Sequence, residues 1–127
     1  MCVRADDSLW EVSAFSDDEH ELDPKDVDRR LREDGWTVID VREPYEREAG
    51  YVDGTRHIEL ERLASQAETI ERDQPVIFLC RLGSRSGMAS QAFRASGYDA
   101  YNLRGGITAW VEAGLPLEPA DGYVAEH

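Results

Sequence analysis

In the stretch FLCRLGSRSGMAS, residues 78–90, Cys80 follows an apolar run, with Gly83 and the arginines Arg81 and Arg85 close behind it. A cysteine that ends a buried strand is usually an inert small hydrophobe. The residues after Cys80 argue instead for a reactive sulfur. Gly83 allows a left-handed turn with no Cβ in the way. SRSGMASQAFRASG, 84–97, has the spacing of a helix that begins at once. A loop wound into a helix N-terminus aims backbone N–H groups and the positive helix end at one spot, which holds anions. With two guanidinium groups beside it, sulfur there is favoured as the thiolate, the form that attacks. The three histidines, His20, His57 and His127, share no spacing with Cys2 or Cys80 that suggests a metal, and neither metal nor cofactor is expected.

The surrounding elements must bring that loop to a sheet end. WTVID (36–40) and PVIFL (75–79) are compact apolar runs without polar alternation, as in strands covered on both faces. TRHIEL (55–60) and DAYNL (99–103) hold two further strands. LDPKDVDRRLREDG reads as a helix with Asp23 as N-cap, Pro24 in its first turn, Gly35 as its stop, and Leu22, Val27 and Leu31 as its stripe. PYEREAG is a short helix from Pro44 to Gly50, and LERLASQAETIERD (60–73) has helical spacing throughout. In the helix after Cys80, Met88, Ala89, Ala92, Phe93 and Ser96 form the expected sheet-facing side. GGITAWVEAG closes the series with Ile107, Trp110 and Val111. Alternating strands and helices define an α/β fold with a mostly parallel central sheet flanked by helices. Asp40 and Cys80 both end strands, at the sheet edge where open parallel sheets bind ligands. One domain over 20–118 is expected, after an acidic extension (1–19) with an edge strand near 10–15 and before a loose tail (119–127).

Composition narrows the partners. Acidic residues outnumber basic ones 27 to 14, for a net charge of -13, which disfavours nucleic acid and anionic membranes. No apolar run approaches the roughly 20 residues of a membrane span. No secretory signal opens the chain, so a cytoplasmic location is expected. All basic residues but Lys25 are arginine. Carboxylate-rich, lysine-poor surfaces suit a salt-loaded, halophilic cytoplasm, where a screening length of roughly 3 Å at about 1 M salt tempers repulsion. A GC-rich genome would also favour arginine.

CRLGSRS resembles the C-R-x-G-x-R-S active-site loop of rhodanese-like sulfurtransferase domains. VIDVREPYEREAGYVDGTRHI is similar to that family's D-V-R-E-P segment with its following G-H-I-P-G-A. NLRGGITAWVEAGLPL resembles its closing Gly-Gly, Trp and Gly-x-Pro pattern. The three motifs stand in the family's order. The resemblance implies that Cys80 takes a sulfane sulfur from a donor such as thiosulfate, becomes a persulfide, and passes the outer sulfur to a thiol or cyanide-like acceptor or to a sulfur-relay protein. It implies a cradle from the N–H groups of Arg81, Leu82, Gly83, Ser84 and Arg85, with Arg85 closing the loop over an anion and Arg81 facing solvent. Asp40 and Arg42 would brace the loop, or form a structural ion pair; Ser86 would cap the helix or touch substrate.

Departures from the pattern lie outside the loop. Tyr51 stands for a histidine, Asp53 and Glu59 for prolines, and Arg47 for an aromatic residue. They bear on partner specificity. His57, Trp36 and Trp110 read as structural. Two other functions fit parts of the sequence: a non-catalytic rhodanese-fold binding or regulatory module, and a cysteine phosphatase or arsenate reductase. The latter generally need five residues between Cys and Arg to wrap an oxyanion, whereas Arg81, Leu82, Gly83 and Ser84 supply four here.

Overall fold

A computed structural model describes residues 18–126, so the strand expected near 10–15 lies outside them. Five strands, β1 (Glu21–Leu22), β2 (Thr37–Asp40), β3 (Arg56–His57), β4 (Val76–Leu79) and β5 (Ala100–Leu103), form one sheet in the order β1-β5-β4-β2-β3. Every pairing is parallel. The helices are α1 (Pro24–Glu33), α2 (Pro44–Ala49), α3 (Leu63–Gln66), α4 (Ser84–Ala95) and α5 (Gly106–Glu112). No helix among the described residues is long and apolar enough to cross a membrane.

Both faces of the sheet are covered, which is why its central strands carry no polar alternation. Along β4, Val76 and Phe78 point to one core with Ala89 and Phe93 of α4. Ile77 and Leu79 point to the other, with Val27 of α1 and Ile107 and Trp110 of α5. The side-chain period of two then sends Cys80 to the α4 side, where it is fully buried.

The structure departs from the sequence expectations in four places. Leu22 belongs to an edge strand paired with Leu103, although it still packs beside Val27. Residues 60–73 do not form one helix: α3 is a single turn between 3-10 turns at Leu60–Arg62 and Ala67–Thr69. Ser65 Oγ donates to Arg62 O (3.0 Å) and Thr69 Oγ1 to Gln66 O (2.7 Å), side-chain bonds that compete with helix propagation. On α4, Met88 is 60% exposed, and the sheet-facing residues are Ser86, Ala89, Ser90 and Phe93. Phe93 fixes that rotation by packing between Phe78 (4.9 Å between centroids) and Tyr98 (4.7 Å). Val111 on α5 also faces solvent, while Trp110 is buried and donates from Nε1 to Pro116 O.

Two smaller details concern the ends. Asp23 takes the N-cap position without a side-chain cap; its carboxylate pairs with Arg104 at 3.2 Å. The segment after Leu117 folds back on α2, with Glu118 bridging Tyr51 and Tyr123 N donating to Ala49 O.

Candidate active site

Parallel register places Asp40 opposite Leu79, so β2 and β4 end at the same edge of the sheet, as the sequence implied. Cys80 begins the connection to α4. The loop is tied down from below: Ile107 N donates to Cys80 O (2.8 Å) and Thr108 N to Arg81 O (3.1 Å). This close approach depends on Gly106, whose φ is +67° and whose missing Cβ would lie 2.3 Å from Arg81 O.

Above these anchors the chain curls around the sulfur. Gly83, at φ +106°, turns its N–H onto Cys80 Sγ at 3.0 Å, and Ser86 N–H approaches at 3.4 Å. Ser84 opens α4, whose first N–H groups have no partner within the helix, and the third of them, from Ser86, is the one that approaches the sulfur. Leu82 is 56% exposed at the loop's tip and Arg81 is half-buried. Ser86 is fully buried, its Oγ 3.3 Å from Cys80 Sγ and 2.5 Å from Asn102 Oδ1. The site is a buried sulfur approached by two backbone N–H donors.

Arg85 pairs with Glu46, meeting both carboxylate oxygens at 3.0 and 3.1 Å. Glu46 is fully buried in α2. It also accepts Glu43 N–H at 2.9 Å, closing a capping box at the helix start. Burial pushes its carboxyl up, but the hydrogen bonds from Arg85 and the backbone at Glu43, with the charges of Arg85 and Arg42, outweigh that and hold it below the ordinary range. Burial likewise works against the charge on Arg85, while Glu46 and then Cys80 favour it, for a net upward shift.

Asp40 and Arg42 are both fully buried and bonded bidentately at 2.9 and 2.8 Å. Arg42 then donates to the carbonyls of Glu46 and Gly50, tying the end of β2 to the middle of α2 and to its C-cap. Their connection to the cysteine loop therefore runs through α2, Glu46 and Arg85. Arg47, in place of the expected aromatic, bonds Asp40 and Thr55 and lies over the Tyr51 ring. His57 Nε2 sits 2.8 Å from Arg42 O, consistent with a bracing part.

Glu46 and Asn102 were not singled out by sequence reasoning. The signal for Glu46 was its place three residues after Glu43 in a proline-started helix, the spacing of a capping box. Asn102 gave none, since a lone Asn in a short apolar strand has no local signature.

Three comparisons bear on this site. Residues 23–113 match the model of the rhodanese-like domain. Thiosulfate sulfurtransferase GlpE of Pseudomonas aeruginosa is 34% identical over 97 residues, which cover 76% of this chain and 87% of that protein. The uncharacterized protein YqhL of Bacillus subtilis is 43% identical over 74 residues, 58% of this chain and 59% of its own length. A rhodanese-related protein from Thermoplasma volcanium superimposes with a TM-score of 0.72 at 28% identity, covering 77% of this chain and 96% of that one. The parallel sheet, the cysteine loop at its edge and these matches together make the chain a member of the rhodanese-like domain family.

Proposed function

We propose that this protein is a sulfurtransferase that carries a sulfane sulfur on Cys80. The observation that carries this reading is the pair of backbone N–H groups, from Gly83 and Ser86, closed on a buried cysteine sulfur at the start of α4. The 34% identity to a thiosulfate sulfurtransferase supports thiosulfate as a donor.

In the first half-reaction the Cys80 thiolate attacks the outer sulfur of thiosulfate. A new S–S bond forms to Cys80, the old S–S bond breaks, and sulfite leaves with the electron pair. The product is a persulfide whose terminal sulfur carries the negative charge. The N–H groups of Gly83 and Ser86 already point at the sulfur, fixed before the reaction and therefore without reorganisation cost as charge builds there. In the second half-reaction a thiophilic acceptor such as cyanide attacks the terminal sulfur. Thiocyanate leaves and the electrons of the breaking bond return to Cys80 as thiolate. No proton changes hands, so His57 has no base role to fill.

Arg85 holds the loop against α2 through Glu46, with its charge largely balanced by that carboxylate. The Asp40–Arg42 pair braces α2 in turn. The ring formed by Arg81, Leu82, Gly83 and Ser84 is short for a tetrahedral oxyanion and suits a single sulfur atom.

Turnover tests the reading. Purified protein given thiosulfate and cyanide should release thiocyanate, and Cys80→Ser should lower the rate to background while circular dichroism stays unchanged. Equal rates in the two proteins would remove Cys80 from the mechanism. A folded wild type inert with every sulfane donor would favour a binding module.

A further inference from the structure

Asn102 on β5 lies beneath the first turn of α4, 3% exposed, with Glu21 of β1 and Phe78 of β4 as its neighbours in register. Gly87 lies over the amide, where even an added Cβ would stand in ordinary contact with Asn102 Nδ2 at 3.4 Å. Both protons of the amide nitrogen are committed. One set of acceptors is the Glu21 carboxylate, with both oxygens at 3.1 Å; the other is Gly83 O, also at 3.1 Å. Turning the amide over would set Oδ1 against these oxygens, acceptor against acceptor, so its orientation is fixed. Oδ1 therefore faces Ser86 Oγ at 2.5 Å.

A serine hydroxyl has one proton to give. Asn102 Oδ1 has no proton, so the Ser86 proton must occupy the short contact between them. Ser86 Oγ then presents lone pairs to Cys80 Sγ, 3.3 Å away. A thiol S–H can donate into those lone pairs; a thiolate cannot. For Ser86 to bond a thiolate its proton must swing from Asn102 to sulfur, leaving Oδ1 buried without a donor.

We propose that Asn102, oriented by Glu21, is a positioning residue that directs the Ser86 proton away from Cys80 and so restrains ionisation of the sulfur. The device opposes the Gly83 and Ser86 N–H groups, and the balance between them sets the working protonation state. The inference builds on Cys80 as the working sulfur but concerns its proton, so it can fail while sulfur transfer stands. The charged groups around the loop are Arg81 and Arg85 from the loop and α4, Glu43 and Glu46 from α2, Asp40 at the end of β2, and Glu21 from β1. Arg104 follows β5, and His57 on β3 lies behind Arg42. Ser86→Ala leaves all of these in place; Asn102→Ala also frees the Glu21 carboxylate from its contacts with the amide, a change common to both backgrounds of the test.

The test tracks the ultraviolet absorbance of the thiolate against pH, each protein being measured against its own Cys80→Ser counterpart to remove Cys2 and the tyrosines. Ser86→Ala deletes the acceptor of the S–H and takes nothing from the thiolate, so its midpoint should move to lower pH by a few tenths of a unit, a thiol being a weak donor. Asn102→Ala releases the Ser86 proton to the sulfur and should move the midpoint lower by about one unit, the size of one hydrogen bond to a charged group. In the Ser86→Ala background, Asn102→Ala should add nothing. A Ser86→Ala midpoint shifted to higher pH would show that Ser86 already donates to sulfur, overturning the proposal. An Asn102→Ala shift of equal size in both backgrounds, or no shift, would also overturn it, since loss of the Gly83 contact is common to both.

Discussion

Replacing Glu46 with alanine is expected to destabilise the fold by about 3–5 kcal/mol, the range for removing one partner of a buried ion pair. Glu46 is fully buried and the Arg85 side chain is only 15% exposed. Its loss strands the Arg85 guanidinium between α2 and α4 without its bidentate partner, leaving only Cys80 and, more weakly, Glu43 to favour its charge. It also removes the acceptor of the Glu43 N–H, which opens the start of α2. Glu46→Gln keeps the shape and separates charge from packing. Because the folded carboxyl titrates below its ordinary value of 4.5, its contribution is full above that value and is lost as pH falls through the folded one. Urea unfolding should thus show a wild-type advantage over Glu46→Gln that is constant near neutrality and shrinks in acid. A loss under about 1 kcal/mol in Glu46→Ala, or an advantage that grows in acid, would show that the pair does not hold the loop to α2.

Gly106→Ala should be as damaging, for a different reason. The φ of +67° disfavours any Cβ, and the Cβ would fall 2.3 Å from Arg81 O and 2.6 Å from Cys80 O. Both contacts are backbone carbonyls, which cannot swing aside as a side chain can. Left-handed strain of about 1–2 kcal/mol and overpacking of about 1–3 kcal/mol together predict a loss of roughly 2–5 kcal/mol. The carbonyls that would move accept or flank the Ile107 and Thr108 bonds, so the cysteine loop should lift from its floor. Sulfur transfer should fall by more than the unfolded fraction accounts for. Gly114→Ala is the control: it has positive φ but nothing within 4 Å of the added Cβ, so only the strain should appear.

The strands were legible because burial on both faces writes itself as VIFL and TVID, and because two such runs ending at Asp40 and Cys80 in a parallel sheet must share an edge. The cysteine loop was legible because its residues are contiguous and each has a local reason, Gly83 most of all. Residues 60–73 were misjudged because apolar spacing says nothing of Ser65 and Thr69 bonding back to carbonyls. The face of α4 was misjudged because a glycine- and alanine-rich helix has only a weak apolar stripe, and one distant contact, Phe93 on Phe78, sets its rotation. Glu46 meets Arg85 across 39 positions, and Asn102 meets Glu21 across 81. Such pairings exist only once the sheet has brought their strands and helices together.

Weighing the protein decides whether Cys80 carries the transferred sulfur. Wild type treated with thiosulfate, freed of small molecules and kept unreduced should gain the mass of one sulfur atom, and peptide mapping should place it on Cys80. Cyanide should return the mass to its starting value with one thiocyanate released per sulfur lost. A gain that persists in Cys80→Ser, or that maps to Cys2, would show that Cys80 is not the sulfur carrier.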